Sequence, residues 1–390
     1  MKHYHFSKSD TAIAKLIAIV LMMLHHLFGF TNRILPENMY HSFHMYQGQP
    51  IEAVVCSSFK ICVAFFLFLS GYGTYLSVRK KKNMSYAIAN RIKRLLVCIW
   101  EVMLIYVPID YFMGITKVNI ASSWNIQYDL KSILLSMLGF EKYNGEWWFV
   151  MPYIVLLMMT PLFIRYLRRE NGDFFTDFLL VFGIALFSTF GLPKLMTYGM
   201  FETFSTSVWG ILLGNVTYLI PIYLMGMIFA KYQVFSYYNQ ILPKGILQYP
   251  VMLFVALAGL YLRYKLGAYY DFFLVGPIIY SLVGCCKIIP GIEWLAGRLV
   301  KYITLVWLIH SFYIFQFGQK FIYSFGNPIL IFFVLAIVSF ISAAVVYWLF
   351  KALGKLMKKG KKELNNYLEG ECARWRKEVI CLYCFDIGQP

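Results

Sequence analysis

Ten stretches of the chain stay apolar for long enough to suit a bilayer crossing: residues 12–30, 61–78, 95–113, 147–166, 178–192, 208–229, 245–266, 272–289, 304–325 and 328–350. A spanning helix uses roughly 20 apolar residues, so the pattern predicts about ten transmembrane helices, the fifth run being short for the purpose. Backbone groups in hydrocarbon must bond within their own segment, and the runs are unbroken rather than alternating over the roughly ten residues of a barrel strand. The predicted class is all-α, a polytopic membrane helical bundle. Residues 130–140 form an apolar piece of about half the needed length, expected to lie in the interface or dip into it. The first run outlasts a signal-peptide core and has no small-x-small cleavage site after it, so it is expected to remain as a signal anchor. Neither a fixed-period repeat nor an inverted duplication is visible.

Composition agrees with the pattern. Of 390 residues, 60% are hydrophobic and only 14% charged, against roughly a quarter charged in soluble domains, which excludes a soluble globule. The 36 Lys and Arg exceed the 19 Asp and Glu by 17. In a soluble chain that surplus would suggest nucleic acid. In a membrane chain it marks cytoplasmic connections, and no nucleic-acid partner is expected. Arg79, Lys80, Lys81, Lys82, Arg91, Lys93 and Arg94 crowd the second connection, Arg165, Arg168 and Arg169 the fourth, and Lys355, Lys358, Lys359, Lys361 and Lys362 the tail. Arg33, Glu37, Glu52, Asp129, Glu141, Glu146, Lys194 and Glu202 give the first, third and fifth connections mixed or acidic charge. The expected layout is a membrane domain over residues 1–350 in the cell membrane, both termini cytoplasmic, with a basic cytoplasmic tail over 351–390. That tail should lie against anionic headgroups.

Eight cysteines do not make a disulfide framework here, because Cys56, Cys62, Cys98, Cys285 and Cys286 lie in or beside apolar runs and Cys372, Cys381 and Cys384 in the tail. The Cys381-x-x-Cys384 pair lacks a second pair of ligands. His25, His26, His41 and His44 show no recognised metal spacing, and no metal is expected.

An ionisable group near the bilayer centre costs at least about 2.5 kcal/mol, so each one inside a run is a functional candidate. Lys15, His25, His26, Glu101 and His310 stand out. Lys15 and His26 are eleven positions apart, which at about 100° per residue returns to within about 20° of the same face. His25 points about 80° away from Lys15. A histidine there can serve as a general base at neutral pH; the structural alternative is a snorkelling Lys15 and an interfacial His pair.

These residues also carry a resemblance. DTAIAKLIAIVLMMLHHLF, residues 10–28, is similar to the opening helix of the integral-membrane acyltransferase family 3, whose signature is an Arg, ten residues, then a His. Lys15 stands at the Arg position and His26 at the signature histidine. CVAFFLFLSGYGTY, from Cys62, resembles the family's FF-x-x-SG-[YF] element through Phe65, Phe66, Ser70, Gly71 and Tyr72, with one extra residue between Phe66 and Ser70. Arg91 and Arg94 match its cytoplasmic Arg-x-x-Arg, and WWFVMPYIVLLMMTPL and TLVWLIHSFYIF look like its later aromatic-entry and YLxH-type helices. The resemblance covers about residues 8–350. It implies transfer of an acyl group, usually acetyl from acetyl-CoA, to a hydroxyl of a cell-envelope glycan, with His26 essential and Arg91 and Arg94 as donor contacts. Lysine at the Arg position departs from the pattern, keeping the charge without the planar fork.

The residue chemistry runs parallel to this. Acyl-CoA is polyanionic and cytoplasmic, and Arg91 and Arg94, three apart, suit its phosphates, although positive-inside charge also accounts for them. Glu101, seven beyond Arg94, either orients that arginine or neutralises it. His310 either contacts the donor or hydrogen-bonds a neighbouring helix, and Ser70 is a donor-side candidate whose Ser-Gly pair more often serves helix packing than nucleophilic attack. Glu146 is expected to pair with His25 or His26 and to stabilise the imidazolium. Tyr72, Trp147 and Trp148 are candidates to stack on a sugar. The competing class is a transporter or flippase for an anionic lipid-linked substrate, which predicts internal repeats and broken helices at matching positions.

Overall fold

The computed structural model describes residues 6–79, 81, 83–116, 126–140, 143–169 and 172–385. Lys80, Lys82 and Glu141 lie outside them, as do the side chains of Lys362, Cys372, Cys381 and Cys384. Among the described residues the regular structure is helical apart from one hairpin of two-residue strands, Met45–Tyr46 against Gln49–Pro50. Its turn uses Gln47 and Gly48, both at positive φ (48° and 76°), the geometry that matches strand twist.

The first half comprises α1 (Lys8–Phe28), α2 (Ile51–Ser57), α3 (Cys62–Val78), α4 (Met84–Phe112), α5 (Leu130–Met137), α6 (Val150–Leu167) and α7 (Phe174–Leu186). Helix α1 starts at a capping box, Ser7 Oγ accepting from the Asp10 amide while the Asp10 carboxylate accepts from the Ser7 amide. It stops at Gly29, where a Cβ would come within 2.8 Å of the His25 ring. The second span begins ten residues earlier than its apolar run suggests, because α2 and a 3-10 turn feed directly into α3 over Ile51–Val78. Helix α4 likewise starts before its apolar stretch, so Arg91 and Arg94 belong to the spanning helix itself. The fifth run is not short: α7 continues through a π-turn over Phe187–Gly191 into α8 (Leu192–Leu195), 22 residues in all.

The second half comprises α9 (Met200–Thr206), α10 (Val208–Tyr232), α11 (Val234–Ile241), α12 (Gln248–Leu266), α13 (Asp271–Cys286), α14 (Ile292–Leu299), α15 (Ile303–Phe315), α16 (Gln319–Tyr323) and α17 (Pro328–Phe385). Among the described residues, nine segments are long and apolar enough to cross a membrane. The ninth expected span, 304–325, is broken. Helix α15 has 13 residues, about 20 Å at 1.5 Å each, too short for a core of about 30 Å. The break has a cause in Gln319, whose buried amide accepts from the Leu35 amide and Asn38 and donates to the carbonyls of Arg33 and Ile314. Those loop groups would otherwise be buried without partners.

Helix α1 occupies the middle of the bundle, packed by α3, α13, α14 and α15, with Ile13, Ala14, Ala18, Ile19, Met23 and Leu27 fully buried. Helices α3 and α10 touch backbone to backbone: a Cβ on Gly71 would fall 2.0 Å from Tyr223 O, and one on Gly226 2.1 Å from Phe68 O. Small residues at such a contact are how membrane helices associate closely. Chain packing divides the protein into Met1–Ala343 and Ala344–Pro390.

Candidate active site

A cavity of about 530 Å³ opens beside α1 and is walled by α3, α4, α6 and α15. Helix α1 presents Lys15 and His26 to it, separated along the axis by roughly 16 Å from eleven residues of helical rise. The remaining charged groups on its wall are Arg33, Lys60, Arg91 and Glu146, giving four cationic side chains against one carboxylate.

His26 is the most tightly partnered of these. Its Nε2 lies 3.2 Å from Glu146 Oε2, and its Nδ1 lies 2.6 Å from Nε2 of His310. The two imidazoles stack nearly parallel, 11° apart with centroids 4.9 Å apart. His310 is fully buried and does not line the cavity. Of the two roles expected for it, the hydrogen bond to a neighbouring helix is the one present, to His26 of α1. The other oxygen of Glu146 accepts from Arg33 Nη1 at 2.8 Å, and the Arg33 guanidinium covers the Phe30 ring at 3.9 Å. Gln319 holds the Arg33 carbonyl at 2.9 Å, which connects the α15–α16 break directly to the site.

Glu146 sits in a 3-10 turn, Gly145–Trp147. Asn144 Oδ1 accepts from the Glu146 amide at 3.0 Å while its Nδ2 donates to Ser311 Oγ at 2.8 Å. Trp147 Nε1 donates to the Leu308 carbonyl at 3.2 Å. Just outside the span, Tyr143 donates to Asp110 Oδ2 at 2.6 Å. Burial and the adjacent carboxylate hold that phenol well above its ordinary value, so it remains a donor. The alternative between His25 and His26 as the partner of Glu146 resolves to His26. His25 also reaches the cavity, but its Nδ1 binds the Cys56 carbonyl at 2.8 Å.

At the other end, Lys15 and Arg91 share the wall, Arg91 donating to Ser77 Oγ at 2.7 Å. Ser70 faces the cavity and bonds Tyr153 OH at 2.6 Å. Arg94 does not join them. Three residues of helix turn it about 60° from Arg91, and it is exposed, donating to the Asn90 carbonyl. Among the described residues no ion pair links Glu101 to Arg94, whose Nε donates instead to the Asn90 carbonyl. Tyr72 packs between Phe6 and Phe235, away from the cavity. Trp147 is buried, and Trp148 alone of the three aromatic candidates lines the wall.

A family model for the acyltransferase domain of acyltransferase family 3 matches residues 12–348, a range that contains both ends of this cavity. The chain belongs to that family. Comparison with curated proteins and with solved structures gives no match. The protein is therefore a multi-pass membrane acyltransferase, and the cavity gathers Lys15, His26, Arg33, Lys60, Arg91 and Glu146 on one wall. A second hollow, walled by Phe174, Phe178, Phe229 and three tyrosines among others, has no charged side chain on it.

Sequence reasoning about the acyltransferase passed over Arg33 and Lys60. Arg33 counts, by position, as one more charge in an outer connection. Its closeness to a paired histidine and to Glu146 depends on the loop folding back over α1, for which no local signal exists. Lys60 stands one residue before an apolar run, where a snorkelling lysine is ordinary.

Proposed function

We propose that this acyltransferase is an O-acyltransferase that moves an acyl group, acetyl in the first instance, from cytoplasmic acyl-CoA to a hydroxyl of a cell-envelope polysaccharide or other glycan. The observation that carries this reading is a single cavity with Lys15 and Arg91 at one end and His26, backed by Glu146 and His310, at the other. The basic connections support a cytoplasmic position for the Arg91 end. The phosphates of the donor meet ammonium and guanidinium groups there, and the thioester arm extends along α1 towards His26.

In this scheme the acceptor hydroxyl gives its proton to His26 as its oxygen attacks the thioester carbonyl. The imidazolium that forms is stabilised by the Glu146 carboxylate at 3.2 Å. The tetrahedral oxyanion develops near Arg33 and Lys60, which line the same end. Collapse breaks the C–S bond, and the thiolate takes the proton back from His26, leaving an ester and a free thiol. Trp148 is placed to stack on a sugar ring.

A flippase would need matched broken helices around a central site. The break between α15 and α16 is instead filled by Gln319, which bonds three loop groups and the Ile314 carbonyl of α15. The test is turnover of acetyl-CoA by purified protein with glycan acceptors, together with mass spectrometry of envelope glycans from cells with and without the protein. An ester lost with the protein, and transfer abolished in His26→Ala, is the expected result. Transfer that survives in His26→Ala removes the assigned base.

A further inference from the structure

The hydrogen bonds around His26 form a chain that ends on a group with no choice of role. Trp307 O lies 2.8 Å from His310 Nδ1. A backbone carbonyl only accepts, so the hydrogen is on that nitrogen. His310 is fully buried and no ion pair joins it to a carboxylate among the described residues. An unpaired charge there would be costly, so the ring is neutral and its Nε2 is an acceptor. His26 Nδ1, 2.6 Å away, must then donate.

Resting on the reading of His26 as base, we propose that His310 is a positioning residue that fixes the tautomer of His26, leaving the lone pair on Nε2, the nitrogen that faces Glu146 and the acceptor hydroxyl. Without such a partner the tautomer would be the wrong one. A neutral imidazole with a carboxylate 3.2 Å from Nε2 gains electrostatically by placing its hydrogen on that nitrogen. That arrangement buries the lone pair at Nδ1, away from substrate. With His310 in place, Nε2 carries a hydrogen beside Glu146 only when the ring is imidazolium, which is the state formed during reaction.

The bundle keeps these partners in one frame. Trp307 O and His310 come from α15, and the turn bearing Glu146 is fastened to the same stretch through Asn144 to Ser311 and Trp147 to Leu308. Both nitrogens of His26 are therefore referred to residues 307–311. The other groups near the ring, His25 at a centroid distance of 5.6 Å and Arg33 on the far oxygen of Glu146, supply no acceptor for Nδ1.

The test uses the full chain in nanodiscs with 15N-labelled histidine, the His26 signals being assigned by their loss in His26→Gln. At a pH where its ring is neutral, His26 is expected to show a hydrogen on Nδ1 and none on Nε2. His310→Leu should move the hydrogen to Nε2 and lower kcat about 10²-fold or more, the scale of general-base catalysis, with KM for acetyl-CoA unchanged. His310→Gln, whose amide oxygen reaches close to the Nε2 position, should restore the tautomer and much of the rate. A native Nε2–H tautomer, or Leu and Gln variants alike in both spectrum and kcat, overturns the proposal. The spectrum of the native protein needs no turnover. Native protein inert towards acyl-CoA with the Nδ1–H spectrum would thus sink the acyl-transfer reading while leaving the tautomer assignment standing.

Discussion

Glu146 divides its two oxygens between an imidazole and a guanidinium, and the division makes separable predictions. Glu146→Gln keeps a carbonyl oxygen but removes the charge that offsets the imidazolium. A hydrogen bond to a charged group is worth about 1.5–3 kcal/mol, so kcat should fall about 10- to 100-fold with little change in KM for the donor, read by steady-state kinetics. Arg91→Ala should raise KM for acetyl-CoA about tenfold, whereas Arg94→Ala should leave it within about twofold, because only Arg91 reaches the cavity. Equal effects at the two positions would contradict the geometry. At this scale the sequence is informative where helical spacing decides the matter: Lys15 and His26 share a stripe because eleven residues close three turns. It is silent on Arg33, since that contact is made by a loop whose course depends on Gln319, some 286 positions away.

Among the elements, the apolar runs foretell the helices, and the departures have local causes. The expected single helix over 304–325 yields to Gln319, which does more for the buried loop than a continuous helix would. The Ser70-Gly71 pair divides its duties by residue. Gly71 lies against the Tyr223 backbone, and Ser70 faces the cavity. Gly71→Ala would force α3 and α10 apart, since the obstructing atom is backbone, and should cost about 1–3 kcal/mol as overpacking does. Gly73, two residues on, has open space at its Cβ, so Gly73→Ala should leave thermal unfolding in detergent unchanged. A Gly71→Ala melting curve that superposes on the native one would refute the close contact as a source of stability.

For the whole molecule, the decisive property is a cavity whose wall carries four cationic side chains and one carboxylate. A donor stripped of phosphates should lose most of what the Lys15 and Arg91 end offers. Acetyl-pantetheine is therefore expected to have a KM at least about tenfold above that of acetyl-CoA, and a weaker dependence on ionic strength. The cavity as such could not be read from the sequence, because it exists only where α1, α3, α4, α6 and α15 meet. The central position of α1 has one more consequence. Helix α1 is walled in by α13, α14 and α15, which are synthesised well after it. A partly made chain carries His26 without His310, 284 positions later, and so has no completed base to squander thioesters while it is still being threaded into the bilayer.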